Sequence, residues 1–379
     1  MTPFLYFDNN ATTRIDPLVL EAMLPWLGEH YGNPSSACRF GKLAADAIER
    51  VREQVATLLG CEPREIVFTS GGTESINAAL FSAAQLNPER RHLVTTAVEH
   101  SAGLKPCEAL EKQGYEITRL GVDHDGHLNL AELERAIRPD TALVTVMSAN
   151  NETGMLFPLG AVAELARAKG VLFHTDAVQA IGKIPLRPSE LGVTYLSGSG
   201  HKLHAPKGVG FLFVNRRARF VPSLLGGGQE GGRRSGTLNV AGIVGLGKAA
   251  ELAAQAMASG AGAVKALRDA FEAGVLERIP GVQVNGDRSQ RLPNTSNLAF
   301  EGVEAESALL LLDRANLCAS AGSACMAGSL TGSHVLRAMG FSTERARSSL
   351  RFSLSRFTTP GEIAAALEIL PGVIAKLRG

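Results

Sequence analysis

The sequence predicts an α/β protein with a mostly parallel sheet in a large domain, followed by a smaller α+β domain. Short apolar runs alternate with helical patterns through most of the chain, as expected when helices connect parallel strands. The pattern changes near residue 255, and a chain of 379 residues is long enough for more than one domain. We therefore expect a large domain over 16–255 and a small domain formed by 1–15 and 256–379.

The strands predicted for the large sheet are short runs rich in Val, Leu, Phe and Thr. They are Ile66–Thr69, His92–Thr96, Leu143–Met147, Val171–Thr175, Val193–Leu196 and Val209–Val214. Helical spacing of apolar residues over Glu74–Gln85 and Leu159–Lys169 predicts two of the helices that connect them.

In the small domain, an alanine-rich pattern over Val264–Val275 predicts a helix, and Glu304–Leu312 predicts another. Three runs predict strands, namely Val282–Val284, Thr295–Phe300 and Leu350–Leu354. The last helix is expected to open at Thr359, since Thr359, Pro360 and Glu362 form a capping box with proline at the first helical position.

Composition excludes some classes of function. The chain has 38 Lys and Arg against 37 Asp and Glu, with 45% hydrophobic and 20% charged residues, as in an ordinary globular protein. Proteins that bind nucleic acid or a membrane surface normally carry a basic excess. We therefore predict neither as a partner.

The cellular compartment is predicted from three features that the sequence lacks. The first residues have neither the basic nor the apolar region of a secretion signal, and no apolar run approaches the roughly 18 residues of a membrane span. The five cysteines are scattered, with no Cys-x-x-Cys spacing. We expect a cytoplasmic protein in a reducing setting, with no disulfide framework and no resident metal site.

Three motifs together suggest a pyridoxal phosphate site. Gly72 and Thr73 follow a strand and open a helix, where free N–H groups favour an anion such as phosphate. Asp176 ends a strand, where its carboxylate can hold a pyridinium nitrogen, and Lys202 lies in a loop of small hydroxyl residues, where its amine can bind an aldehyde. Taken singly, each has a plainer interpretation: a glycine turn, a helix-capping aspartate and a solvated surface lysine.

Other candidates also have a plainer alternative. His100 can stack on a planar cofactor or shuttle protons, but a structural histidine is the simpler interpretation of that residue alone. Arg351 lies in a strand-like apolar run, so it needs an anionic partner if buried, and a substrate carboxylate fits its two-pronged donor geometry. The alternative is an edge-strand arginine that faces water. The glycine-rich stretch 226–237 can be a phosphate-contacting loop or a surface linker.

Cys325 lies in 319–329, a stretch of almost entirely small residues. Such a stretch is a poor core strand and is typical of a mobile loop. A lone cysteine is more often a small buried hydrophobe than a nucleophile, but a thiol on such a loop can be delivered to a substrate. Cys318, in a strand-like context, and the other three cysteines are interpreted as structural or surface residues.

With these motifs the chain resembles a known family, the cysteine desulfurases of the class V aminotransferase group, of the iron–sulfur cluster and nitrogen-fixation type. The resemblance runs from end to end and is carried by ordered motifs. These are 6–13 (YFDNNATT), 32–36, 69–75 (TSGGTES), 99–100, 150–154, 174–179 (HTDAVQ), 201–202, 226–237, 322–325 (GSAC) and 350–352. It implies a fold type I transferase that uses pyridoxal 5′-phosphate.

The resemblance also implies residue roles. Lys202 carries the cofactor, Asp176 pairs with its ring nitrogen, Gln179 reaches its ring oxygen and His100 stacks on its ring. The phosphate is held by Gly72, Thr73, Ser199 and His201, with Thr237 reaching it from the other subunit of a homodimer. Asn151 contacts cofactor and substrate, Arg351 binds the substrate carboxylate, and Cys325 is the nucleophile. Cys325 is also considered as a transient iron–sulfur ligand.

The implied reaction takes sulfur from L-cysteine, leaving L-alanine and a persulfide on Cys325, which passes to an iron–sulfur scaffold or another acceptor protein. Two alternatives stay open. One is a selenocysteine lyase or another class V β-eliminase or transaminase, whose activity would survive loss of Cys325. The other is a non-catalytic sulfur carrier, which would be colourless when purified.

Overall fold

The central feature of the structure, a computed structural model, is a seven-stranded sheet. The model describes residues 4–321 and 332–379, apart from the side chains of 259–261. The strands of the chain are β1 (Leu5–Tyr6), β2 (Ile66–Thr69), β3 (His92–Thr96), β4 (Glu116–Leu120), β5 (Thr141–Thr145), β6 (Leu172–Asp176), β7 (Tyr195–Ser199), β8 (Gly210–Val214), β9 (Val282–Val284), β10 (Thr295–Phe300), β11 (Leu317–Cys318) and β12 (Ser349–Ser353).

Helices cover the sheet and connect its strands. They are α1 (Pro17–Gly28), α2 (Arg39–Leu59), α3 (Gly72–Leu86), α4 (Ser101–Glu111), α5 (Leu130–Ala136), α6 (Leu159–Ala168), α7 (Pro188–Leu191), α8 (Val240–Arg278), α9 (Ala305–Arg314), α10 (His334–Ala338), α11 (Thr343–Arg347) and α12 (Pro360–Arg378). None of the helices in the described ranges is long and apolar enough to cross a membrane.

The predicted mostly parallel sheet is confirmed, with the strand order β2-β8-β7-β6-β5-β3-β4. β8 runs antiparallel to both of its neighbours, β2 and β7, and the pairings among β3, β4, β5, β6 and β7 are all parallel. Most of these strands are buried at every residue, as expected for a sheet covered on both faces. The prediction placed β5 at Leu143–Met147, but the strand begins at Thr141, and the half-exposed β4 was not predicted.

The carboxyl-terminal part forms a second core around the three-stranded antiparallel sheet β12-β10-β9. Phe271, Phe300 and Phe352 are buried there, together with Leu5 and Phe7 from the N-terminal segment. The N-terminal residues reach this core because β1 pairs in parallel with β11.

The predicted division at residue 255 falls inside α8, which continues from Val240 to Arg278. Ala249 and Ala253 on this helix pack in the core of the large sheet, whereas Phe271 and Val275 pack in the second core. One helix therefore contributes to both cores, and the two-domain division itself stays a prediction. The capping box at Thr359 and Glu362 does open α12.

Candidate active site

An open cleft of about 320 Å³ lies where β6 and β7 end and α3 and α4 begin. In α/β sheets, ligands bind at this carboxyl edge of parallel strands. Ten of the residues singled out from the sequence line the cleft: Gly72, Thr73, His100, Asn151, Asp176, Gln179, Ser199, His201, Lys202 and Arg351. These residues are far apart in the chain, so it is the fold that brings them together.

One end of the cleft is built to receive an anion. The N-cap of α3 is Gly71, which has a φ of 153° and no side chain to bond the first N–H groups of the helix. Those N–H groups therefore remain available to a ligand. A Cβ on residue 72 would lie 2.7 Å from Cγ2 of Val178, so only glycine fits at this position. Ser199, at the end of β7, adds a buried hydroxyl to this end of the cleft.

Asp176 presents a buried carboxylate. Its Oδ1 accepts a hydrogen bond from the N–H of Val178 at 2.9 Å, and its Oδ2 accepts none from a described residue. Burial raises the pKa of Asp176 to about 6, although the Val178 N–H and the charge of Lys202 act in the opposite direction. A cationic ring nitrogen at this carboxylate would compensate the buried negative charge.

Lys202 lies in a short 3₁₀ turn, Gly200–Lys202, directly after β7. Its Nζ donates hydrogen bonds to the main-chain oxygens of Asn10 at 2.5 Å and Ala11 at 2.6 Å. Its side chain is half-buried. The amine is therefore held at the cleft by the N-terminal segment, an arrangement that local sequence does not indicate.

His100 is both the N-cap of α4 and a wall of the cleft. Its Nδ1 accepts a hydrogen bond from the N–H of Ala102 at 3.1 Å, so the neutral ring carries its proton on Nε2. Burial, followed by the positive charge of Lys202, lowers the pKa of His100 to about 4. The ring is therefore uncharged at neutral pH, which suits stacking on a cofactor better than proton transfer.

Gln179 and His201 complete the side of the cleft nearest the N-terminal segment. The Nε2 of Gln179 donates to the main-chain oxygen of Asn10 at 2.9 Å. A ring nitrogen of His201 lies 3.1 Å from the hydroxyl of Thr12, and burial lowers the pKa of this histidine to about 4.

Arg351 is buried, as the sequence argument required for an anionic partner, but the chain itself supplies one. Its Nη2 donates to Oδ1 of Asp8 at 2.6 Å, and its Nη1 donates to the main-chain oxygen of Asn151 at 2.9 Å. Its Nε is buried and has no partner among the described residues. The alternative of an arginine facing water is wrong, and the pairing of Arg351 with Asp8 is not predicted by the sequence.

Thr237, one of the predicted residues, is not among those lining the cleft and is exposed on the glycine-rich stretch. Cys325 lies outside the described residues, as do the other residues of its GSAC motif.

The structure also adds residues that the sequence argument did not select. His334 lines the cleft, and its Nε2 lies 3.0 Å from the main-chain oxygen of Glu99. Glu99 itself is buried beneath the cleft and accepts hydrogen bonds from Thr96 and from the N–H of Met147. Burial raises the pKa of Glu99 to about 8. Glu99 precedes His100 in a quoted motif, whereas His334 carried no sequence signal.

Comparison with known proteins assigns the chain to a family. The model of the aminotransferase class-V family matches residues 5–365. Cysteine desulfurase 2 of Trichormus variabilis is 52% identical over 99% of this chain and 94% of its own length. Cysteine desulfurase NifS of Azotobacter vinelandii is 50% identical over 99% of this chain and 93% of its own.

Solved structures agree. A NifS-like protein superposes with a TM-score of 0.93 at 38% identity, covering 99% of this chain and all of its own. SspA in complex with cysteine superposes with a TM-score of 0.83 at 36% identity, covering 93% of this chain and 99% of its own.

The chain belongs to the aminotransferase class-V family. Within that family it belongs to the cysteine desulfurases, as its resemblance in sequence predicted. Membership implies pyridoxal 5′-phosphate as the cofactor. The cleft fits this group, since it combines an uncapped helix start for the phosphate, a buried carboxylate whose Oδ2 accepts no hydrogen bond from a described residue, and a lysine amine for the aldehyde.

Proposed function

We propose that the protein removes sulfur from L-cysteine to give L-alanine and a persulfide on Cys325. The observation that carries the proposal is the convergence of Lys202, Asp176 and Arg351 in one cleft of a chain half identical to cysteine desulfurases. An iron–sulfur scaffold or another acceptor protein in the cytoplasm would then receive the sulfur.

Pyridoxal phosphate, when bound, supplies an electron sink for the carbon beside the substrate amine. Gly72, Thr73, Ser199 and His201 would hold its phosphate. Asp176 would pair with its ring nitrogen, Gln179 would donate to its ring oxygen, and Lys202 would anchor it.

The protein's own residues position the substrate and move its protons. Arg351 and Asn151 would hold the carboxylate of L-cysteine, and the Nε of Arg351, which has no partner among the described residues, would be a further donor. The Nζ of Lys202 would take the proton from the α-carbon, because this amine is tethered beside it. His100, uncharged at neutral pH, would pack against the ring.

The sulfur step assigns Cys325 as the nucleophile, on the basis of sequence resemblance. Its thiolate would attack the sulfur of L-cysteine, so that an S–S bond forms while the C–S bond of the substrate breaks. The electron pair of that bond stays with the carbon fragment, which takes up a proton and becomes alanine. Cys325 plus L-cysteine thus gives a persulfide plus L-alanine, and no external oxidant is needed.

A homodimer is part of the proposal. Thr237 would reach the phosphate from the other subunit, which is consistent with its exposed position away from the cleft of its own chain. Large apolar side chains are exposed on α1 and near the glycine-rich stretch, including Leu24, Leu27, Leu224 and Leu225. Apolar surface of this kind is typical of a subunit interface.

The test is the release of sulfide and alanine from L-cysteine, with pyridoxal phosphate and a thiol reductant, by purified protein. Cys325→Ser should keep the visible absorption of the cofactor and release neither product. Cys38→Ser, which changes an exposed cysteine at the start of α2, is the matched control and should behave as the wild type. Turnover by Cys325→Ser would overturn the assignment of Cys325, and a wild type that binds no cofactor would overturn the proposed function.

A further inference from the structure

Lys183 is a half-buried polar group beside the cleft that the proposed chemistry does not use. It follows β6 in the loop that also carries Gln179, four residues earlier. Its Nζ donates a hydrogen bond to Oε1 of Gln179 at 2.9 Å. It faces a second, small cavity of about 100 Å³, which it lines together with Lys202 and His204.

The hydrogen bond decides which end of the Gln179 amide faces the cleft. A glutamine amide has an oxygen that accepts and a nitrogen that donates, and the two ends have nearly the same shape. A lysine can only donate when charged, so it selects the oxygen. The Nε2 of Gln179 is then turned to the main-chain oxygen of Asn10, which also accepts from Lys202.

From this contact we infer that Lys183 is a positioning residue, which fixes the Gln179 amide so that its nitrogen donates toward the ring oxygen of the cofactor. The inference rests on the proposed function, because it assumes that pyridoxal phosphate occupies the cleft. An amide turned the other way would place its oxygen against the ring oxygen, and two acceptors repel each other.

The electrostatics of Lys183 are compatible with this role. Burial, followed by the positive charges of Lys202 and Arg351, lowers the pKa of Lys183 to about 7. A neutral amine still has N–H groups and can donate to Oε1 in both protonation states, but only the charged amine, which has no lone pair, excludes the opposite orientation of the amide. Loss of the proton relieves the repulsion with Lys202.

The experiment is a double-mutant cycle between Lys183→Met and Gln179→Leu in the cofactor-loaded protein. Methionine keeps the length and apolar stem of lysine but cannot donate. Two readouts are used: the Kd of pyridoxal phosphate, and the pH midpoint at which the visible band of the bound cofactor changes. Lys169→Met, on the exposed end of α6, is the matched control.

Lys183→Met should weaken cofactor binding about tenfold, the size expected for loss of one hydrogen bond to a charged group. It should also raise the pH midpoint by about one unit, because the deprotonated ring oxygen loses a donor. In the Gln179→Leu background, the same substitution should change neither quantity further, since the group through which it acts is absent. Lys169→Met should change neither.

Two outcomes would overturn the inference while leaving the proposed function intact. If Lys183→Met binds cofactor and titrates as the wild type does, Lys183 positions nothing. If it shifts the midpoint equally with and without the Gln179 amide, Lys183 acts by its charge alone. Failure of the proposed function is distinguishable, because the wild type itself would then show no visible band with pyridoxal phosphate.

Discussion

Two buried arginines, Arg52 and Arg351, are paired with carboxylates in very different ways. Arg52 on α2 makes a two-pronged contact with Glu230, with both N–O distances at 2.8 Å, and also donates to the main-chain oxygen of Ile66. Glu230 accepts a further hydrogen bond from the N–H of Phe68. This pair joins α2, β2 and the glycine-rich stretch.

Arg351 makes a single-pronged contact with Asp8, and its buried Nε is left without a partner among the described residues. A buried donor without an acceptor costs free energy that folding alone does not recover. Of these two arginines, Arg52 has its donors filled where it joins elements of the fold, whereas Arg351 at the cleft keeps a buried Nε that a substrate carboxylate can fill.

The largest expected effect is on catalysis. Arg351→Leu should lower kcat/KM for L-cysteine about a thousandfold, because the substrate carboxylate loses its charge-assisted donors. The measurement is steady-state alanine formation by the cofactor-loaded protein. Arg347→Leu, at an exposed arginine of α11, is the control. Activity near the wild-type level would show that Arg351 serves Asp8 and not the substrate.

Arg52→Met should act on stability instead. It leaves the buried carboxylate of Glu230 unpaired, so the free energy of unfolding should fall by about 3–5 kcal/mol. Urea denaturation measures this change. Glu49→Gln removes only the exposed partner of Arg52 and should cost less than about 1 kcal/mol. Equal losses for both variants would break the distinction between the buried pair and its exposed neighbour.

Asp176, a buried carboxylate of the cleft, provides a pH-dependent test of how residues of the cleft differ from those that hold the fold together. Its folded pKa of about 6 lies above the ordinary value of 3.8, so the carboxylate destabilises the cofactor-free fold above pH 6 and ceases to do so as the pH falls toward 4. Asp176→Asn should stabilise the cofactor-free protein by about 3 kcal/mol at pH 8 and by almost nothing at pH 4.

The same substitution should weaken catalysis, since an amide cannot keep the ring nitrogen protonated. Denaturation at the two pH values, with and without pyridoxal phosphate, measures both consequences. If the variant is less stable than the wild type at pH 8, the buried charge of Asp176 does not destabilise the cofactor-free fold, contrary to this prediction.

The smallest effect is expected at Asp8. Asp8→Asn removes the negative charge that shares Arg351, so the KM for L-cysteine should fall about threefold while kcat does not rise, a change within the range of a partly exposed ion pair. Steady-state kinetics across the substrate range measure it. A rise in KM would mean that Asp8 orients Arg351 rather than competing for it.

The fold was predictable because its strands are short runs of buried β-forming residues, which local sequence records. The end of β6 at Asp176 and the start of α3 at Gly72 were found in this way. The half-exposed β4 was missed because its mixed polar and apolar residues resemble a loop. The start of β5 was placed two residues late because Thr141 is polar and Ala142 has a low strand propensity, although tertiary packing buries both.

The sequence by itself determined the residue types of the site, because Lys202, Asp176 and Gly72 carry their chemistry wherever they lie. It also determined the family, because ordered motifs survive without coordinates. Only the tertiary structure decided the partners: Asn10 and Ala11 for Lys202, Asp8 for Arg351, and Lys183 for Gln179. The reason is physical, since hydrogen bonds and ion pairs depend on distances of about 3 Å between atoms, and many of these distances join residues that only the fold brings together.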